Sequence, residues 1–209
     1  MPLFRPRARR TTGAFEPCLP RPAKAPPTGP DWIHEIKHDG FRLIAHRGGD
    51  KVRLISRQGR DLTYRFPVII QALAALPVTS CTIDGEAIVC NENGVAVFDA
   101  LLSYRTGQAA SLCAFDVTEI GGRDLRRVAI EDRKFVLKKL LRRSHPGIAV
   151  NRHFDVEGAI VFHHACKLGC EGIVSKRLGS WYRAGRSSDW IKTTNPAAPA
   201  IKREAEERG

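Results

Sequence analysis

Apolar positions along this chain follow two rhythms, one of period two and one near 3.6, and their order predicts the elements. Neither rhythm occupies residues 1–30, which are rich in Pro and Arg and are expected to form an extended basic tail. Order is expected to begin near Trp32. Trp32–Lys37 alternates as a strand, His38-Asp39-Gly40 turns the chain, and Arg42–Arg47 with Lys51–Arg57 form a hairpin across Gly48-Gly49-Asp50. Pro67 opens a helix that gathers Ile69, Ile70, Leu73 and Leu76 on one face and stops before Pro77.

Cys81–Val89 reads as the next strand, followed by an Asn93-Gly94 turn leading to Val95–Phe98. Ser111–Val117 is another strand, bounded by Gly121-Gly122. Glu131–Leu141 is a helix with acids first and lysines near its end, which suits the helix dipole. A helix over Val156–Leu168 ends at Gly169, and a short buried strand, Gly172–Ser175, follows. A polar, basic loop over Arg177–Asp189 then precedes a last strand, Trp190–Thr193. No internal repeat is visible. Hairpins mixed with helices predict an α+β fold, antiparallel sheets flanked by helices, rather than a doubly wound one. One domain is expected over residues 31–196, with a charged tail over 197–209.

Charge adds a partner to this picture. Lys plus Arg number 34 against 22 Asp plus Glu, a formal net charge of +12. A surplus of that size suits a polyanion, and nucleic acid is the commonest. No apolar run approaches the roughly 20 residues of a membrane-spanning helix. The Arg- and Pro-rich start lacks the apolar segment of a secretory signal, although an organellar transit peptide shares its composition. The six cysteines are scattered and read as reduced core residues. His163, His164, Cys166 and Cys170 lie close together, but zinc sites usually draw on two separated pairs, and no second pair exists.

The most informative string is Glu35-Ile36-Lys37-His38-Asp39-Gly40-Phe41-Arg42, which contains K-x-D-G-x-R. A lysine nucleophile must be neutral, yet an ordinary amine, with a pKa of about 10.4, is free in only about one molecule in a thousand at neutral pH. Desolvation or nearby cations are therefore needed. Lys37 ends an apolar-alternating strand, and Arg42 lies close by. A glycine after the turn allows close backbone approach to a bulky ligand. Further signals follow in order. Ser56-Arg57-Gln58-Gly59 closes the hairpin. Asp84-Gly85-Glu86 puts carboxylates inside an apolar strand, where they are costly without a partner. Phe115-Asp116 offers a stacking face. Glu171-Gly172-Ile173-Val174-Ser175-Lys176 places an acid and a lysine at opposite ends of a short strand, and Trp190-Ile191-Lys192 comes last.

In that order these motifs resemble those of the covalent nucleotidyltransferases with their ATP-grasp-like core. Among these the chain resembles the adenylation domain of the bacterial end-joining type of ATP-dependent DNA ligase, over roughly Trp32–Pro196. The resemblance implies that Lys37 attacks the α-phosphate of ATP, leaving lysyl-AMP. It places Glu35 and the Ile36 backbone at the adenine edge and Phe115 on the ring. Glu86 would hold the ribose hydroxyl or a metal-bound water, and Arg42 and Arg57 would contact ribose, phosphates or the DNA 5′-phosphate. Glu171, with Glu86, would bind Mg²⁺ or Mn²⁺, and Lys176 and Lys192 would add positive charge around the phosphates. The implied partner is nicked or broken DNA in repair or recombination, in the bacterial cytosol at the nucleoid.

Two departures stand out. The family's last motif usually reads W-x-K-x-K, whereas here Thr194 replaces the second lysine. Family ligases also continue into an OB-fold domain, for which the residues up to Gly209 leave no room, so the expectation is a minimal adenylation module that works alone, a separate polypeptide that supplies the OB-fold or end-binding function, or a degenerate remnant. Activity limited to self-adenylation, a catalytically impaired DNA-binding or scaffold protein, and an RNA ligase or capping-type enzyme are the alternatives.

Overall fold

The alternating segments assemble into two sheets in the computed structural model, which describes residues 16–201 apart from 104, 106, 107, 144, 145 and 200. The outer parts of the expected tails, residues 1–15 and 202–209, lie outside the described residues. One sheet holds β1 (Cys18–Pro22), β11 (Gly185–Thr194), β10 (Gly172–Arg177), β2 (Trp32–Lys37) and β9 (His153–Phe154), in that order. The other runs β4 (Lys51–Ser56), β3 (Phe41–Gly48), β5 (Ser80–Ile88), β6 (Ser111–Ile120) and β7 (Arg123–Asp124), with β8 (Ile148–Val150) alongside β6. Pairing is antiparallel except for β1 with β11 and β6 with β8. The α+β expectation holds.

Each sheet buries its outer face under helices. The first sheet is covered by α4 (Gly158–Lys167), whose Val161 and Ala165 pack on Ile173 and Ile36. The second is covered by α1 (Pro67–Ala74), α2 (Phe98–Leu102) and α3 (Ile130–Leu140). Its core joins Ile69 and Leu73 of α1, Leu101 of α2 and Leu137 of α3 to Leu43, Leu54, Ile83 and Leu112 of the strands. Each such fully buried side chain stabilises the fold by about 1.5–3 kcal/mol. A third cluster, Cys18, Ile33, Ile130, Tyr182 and Trp190, lies where the two sheets meet. Among the described residues, no helix is long and apolar enough to cross a membrane.

Several elements differ from the sequence reading. Order begins well before Trp32, because β1 adds to the open edge of β11, where its backbone groups find partners. The segment leading to Phe98 is not a strand: one bridge, Cys90–Ala96, is followed by the short helix α2. The expected loop Arg177–Asp189 shortens to residues 178–184, since Arg177 ends β10 and Gly185 opens β11. Its Tyr182 is buried, 4% exposed, and packs the segment down. Cys90 is exposed rather than part of the core. The short strands β7, β8 and β9 carry too few residues for periodicity to register.

Candidate active site

Residues paired directly across a sheet point to the same face. In the first sheet Lys37 lies opposite Gly172 and Gly172 opposite Thr194; Glu35 lies opposite Val174 and Val174 opposite Lys192; Lys176 lies opposite Trp190. These side chains share the inner face, while Ile36 and Ile173 share the face under α4. On the second sheet Arg42 pairs with Glu86 and Glu86 with Cys113. The inner faces therefore bring together most of the motif residues, in a groove between the sheets.

Phe115 owes its position to a bulge. Asp84 pairs with Asp116 but Gly85 with Ala114, so Phe115 has no partner across β5. A bulge of this kind re-aims a side chain and frees its backbone from the ladder. The ring is half-buried, edge-on to Trp190 at 6.1 Å between centroids. The Arg42 guanidinium lies 5.3 Å and the Lys176 ammonium 4.6 Å from its centroid.

Lys37, at the end of β2, forms an ion pair with Glu171, the residue just before β10. Glu171 is held there by a close approach of β10 and β11: Gly172 has φ 144°, and a Cβ on it would overlap the Thr193 carbonyl. A glycine is required. Burial raises the Glu171 carboxyl above the usual range, against the pull of Lys37. Desolvation pushes Glu86 up to about 8, opposed by Lys37 and Arg42 and reinforced by Glu171. A cleft of about 220 Å³ opens beside the Lys37–Glu171 pair, lined also by Asp39, Val97, Phe98 and Cys170.

Other motif residues sit differently from the expectation. Arg42 is committed to Asp84 through two bonds, 3.0 and 2.7 Å, and donates to the Cys18 carbonyl at 2.7 Å. Tyr182 donates to the same Asp84 at 2.5 Å. Arg57 is exposed in the turn after β4 and makes no ion pair among the described residues. Lys192 is half-buried on the inner face and lies near Glu171. Lys176, expected among the phosphates, is 1% exposed and sits at the groove floor. It pairs with Glu35 at 2.9 Å and lies 4.1 Å from the Trp190 ring centroid. Desolvation lowers its pKa, against the pull of Glu35.

Glu35 is equally buried and takes a second lysine, Lys134 of α3, at 2.6 Å. Asn151 donates to the Ile36 carbonyl at 3.1 Å and to Glu35 at 3.5 Å. Arg133, beside Lys134, forms a bidentate pair with Asp116 at 2.8 and 2.9 Å, both side chains 0% exposed. Lys134, Asn151 and Arg133 were missed by sequence reasoning. Two basic residues on the inward side of the helical stripe were the available signal.

No group of three or more His, Cys, Asp or Glu is placed to hold a metal among the described residues. The two groove carboxylates, Glu86 and Glu171, each with raised proton affinity, nonetheless suit a hard divalent cation. Mg²⁺ commonly takes one or two carboxylates and completes its shell with substrate phosphates.

Known proteins share this fold. The model of the ATP dependent DNA ligase domain matches residues 22–193. The chain is 37% identical over 202 residues to the multifunctional non-homologous end joining protein LigD of Pseudomonas aeruginosa, covering 91% of this chain and 24% of that protein. It is 32% identical over 162 residues to LigD of Mycobacterium tuberculosis H37Rv, covering 77% of this chain and 21% of that protein. It thus spans about a quarter of the length of these curated relatives. The solved ligase domain of M. tuberculosis LigD superposes with a TM-score of 0.74 at 29% identity, covering 86% of this chain and 60% of that one. Mycobacterial DNA ligase D complexed with ATP and MES gives 0.73 at 30% identity with the same coverage.

Proposed function

The chain belongs to the ATP-dependent DNA ligase domain family, and on that premise we propose that it catalyses its own adenylation at Lys37 as the first step of DNA joining. The observation that carries this reading is the Lys37–Glu171 pair in a groove whose other wall presents the bulged Phe115. ATP stacks its base on Phe115 and lays its α-phosphate against Lys37. The Nζ atom loses its proton, for which the raised proton affinity of Glu171 makes it a competent acceptor. The neutral amine then attacks the α-phosphorus as the bond to pyrophosphate breaks. The product is a phosphoramidate. A Mg²⁺ or Mn²⁺ ion held by Glu86 and Glu171 would neutralise charge on the phosphates. Lys192, near Glu171, adds positive charge from the chain itself.

Sealing then requires transfer of AMP to a DNA 5′-phosphate and displacement of AMP by the neighbouring 3′-hydroxyl. Relatives named for non-homologous end joining favour DNA nicks or ends over RNA as the polynucleotide. Incubation with α-labelled ATP and Mg²⁺, followed by denaturing electrophoresis, tests the first step directly. Absence of a labelled band would overturn the reading. Labelling from GTP in preference to ATP would move it to a capping-type enzyme.

Thr194 provides a finer test. It lies opposite Gly172, beside the carboxylate that pairs with Lys37. Its hydroxyl donates one hydrogen bond and no charge. Removal of one charge-stabilising donor typically costs ~10²–10³-fold. Thr194→Lys is therefore expected to raise the rate of adduct formation at saturating ATP by about 10-fold or more, with a smaller change in ATP affinity. An unchanged rate in an active protein would show that Lys192 or another cation already fills the role. No adduct with either residue would favour a ligase-derived binding protein.

DNA contact is expected through phosphates, given the net charge of +12 and the exposed Arg177, Arg183 and Arg186 around Trp181. The logarithm of affinity should fall linearly with the logarithm of salt concentration, with a slope of about −0.9 per phosphate neutralised. Sequence preference should be slight. Salt-insensitive binding measured by fluorescence anisotropy would refute this surface.

A further inference from the structure

Bulging leaves the Phe115 carbonyl without a ladder partner, and two lysines take it: Lys176 at 3.3 Å and Lys134 at 3.5 Å. Lys134 does more. Its ammonium also donates to Glu35 on β2 at 2.6 Å and to the Asn151 carbonyl just after β8 at 2.9 Å. An ammonium has three protons. Here all three point to acceptors, one each on β6, on β2 and on the segment following β8. The side chain is only 4% exposed, so water competes little for these contacts. It reaches them from α3 and is not among the residues that line the cleft beside Lys37 and Glu171.

We propose that Lys134 is a positioning residue for nucleotide transfer, a tie that sets the separation of the two groove walls. One wall, β2, ends in Lys37; the other, β6, presents Phe115. This inference rests on the adenylation reading above. A nucleotide bridges the two walls, base against one and α-phosphate against the other. Any slack between them appears as misplacement of the phosphorus relative to Nζ. Misplacement by about 1 Å is enough to cost on the order of 10²-fold in rate.

The neighbouring residue supports the assignment. Arg133 grips Asp116 while Lys134 grips Phe115, so consecutive helix residues hold consecutive strand residues. Arg133, however, donates no hydrogen bond to β2 among the described residues; its other bonds go to the carbonyls of Val128 and Ser180. Of the two, Lys134 alone reaches the strand that carries the nucleophile. Without it, Glu35 retains Lys176 alone as an ion-pair partner among the described residues, and the bulge is held by one ammonium instead of two.

The test compares Lys134→Met and Lys134→Arg with Leu137→Ala in the full chain. Leu137, one turn further along the same helix, is a fully buried residue of the second sheet's core and makes none of the hydrogen bonds of the tie, so it serves as a destabilising control. Adduct formation is followed in single turnover across ATP concentrations, with thermal melts alongside. The expected result is a loss of about 10²-fold at saturating ATP for Lys134→Met. Lys134→Arg should recover most of the rate, and Leu137→Ala should keep a near-normal rate while it remains folded. A near-normal rate in folded Lys134→Met overturns the inference. So does an equal loss in Leu137→Ala at a matched folded fraction. If the methionine variant does not fold, Lys134→Gln decides, because its amide offers two donors to three acceptors. A wild-type rate in that variant overturns the proposal. Failure of the wild-type chain to form any adduct defeats the adenylation reading itself, and this inference with it. A wild-type adduct with indifferent Lys134 variants defeats this inference alone.

Discussion

Lys37→Ala is expected to form no denaturation-resistant AMP adduct, even after prolonged incubation with labelled ATP and a divalent cation. The loss should be complete, since the amine contributes the bond itself. Lys37→Arg should be as inactive, although it preserves a positive charge opposite Glu171. That comparison separates the nucleophile from the ion pair. Neither variant should unfold the protein. The Lys37 side chain is 24% exposed, and ion pairs that face solvent contribute only about 0–1 kcal/mol. Equal labelling of wild type and Lys37→Ala would show that another residue carries AMP.

The largest effect on stability is expected at Arg133. Its pair with Asp116 is fully buried on both sides, and removing one partner of such a pair costs about 3–5 kcal/mol because a charge is left uncompensated. For a chain of this size Arg133→Met should lower the melting temperature by on the order of 10 °C. Adding Asp116→Leu should recover much of that loss, since an apolar pair of similar volume removes the stranded charge. Recovery should remain incomplete, because Arg133 also donates to the carbonyls of Val128 and Ser180. Calorimetry on the single and double variants measures the difference. A double variant no more stable than the single one would contradict this account.

The linear order of motifs carried much of the groove. Lys37, Glu86, Phe115, Glu171 and Lys192 were all legible, because each lies in or directly beside a strand that the apolar pattern marks. Lys176 shows where such reading stops. Its strand and its inward face follow from alternation. That it is consumed by Glu35 at the groove floor depends on β2 and β10 being neighbours, a pairing between segments far apart in the chain. Arg42 is similar: a charged residue beside a nucleophile suggests phosphate contact, but β5 brings Asp84 within reach and occupies the guanidinium. The Phe115 bulge is a mismatch between two registers, which neither strand reveals alone. Arg133 and Lys134 stand on the buried stripe of their helix between Ile130 and Leu137, but their charge masked a periodicity that apolar residues would have shown. The strand β1 was hidden by composition, since its Pro and Arg read as tail; one proline stands in the middle and one at the end of the stretch that lines the sheet edge.

That edge strand also bears on how the molecule is made. Cys18 pairs with Gly185, so the earliest described strand meets the latest. Strands β3 to β6, by contrast, are joined in sequence order apart from the outward hairpin of β4. Contacts between distant segments are slow to form, because the loop they close must first lose its freedom. During synthesis the second sheet can therefore assemble while the first still lacks β10 and β11. Until those strands emerge, β2 with its lysine has no partner from β10, and Glu171 is not yet in place. Lys37 and Glu171 meet only when the fold closes on itself, so the proposed adenylation site is absent from a nascent chain until its final strands arrive.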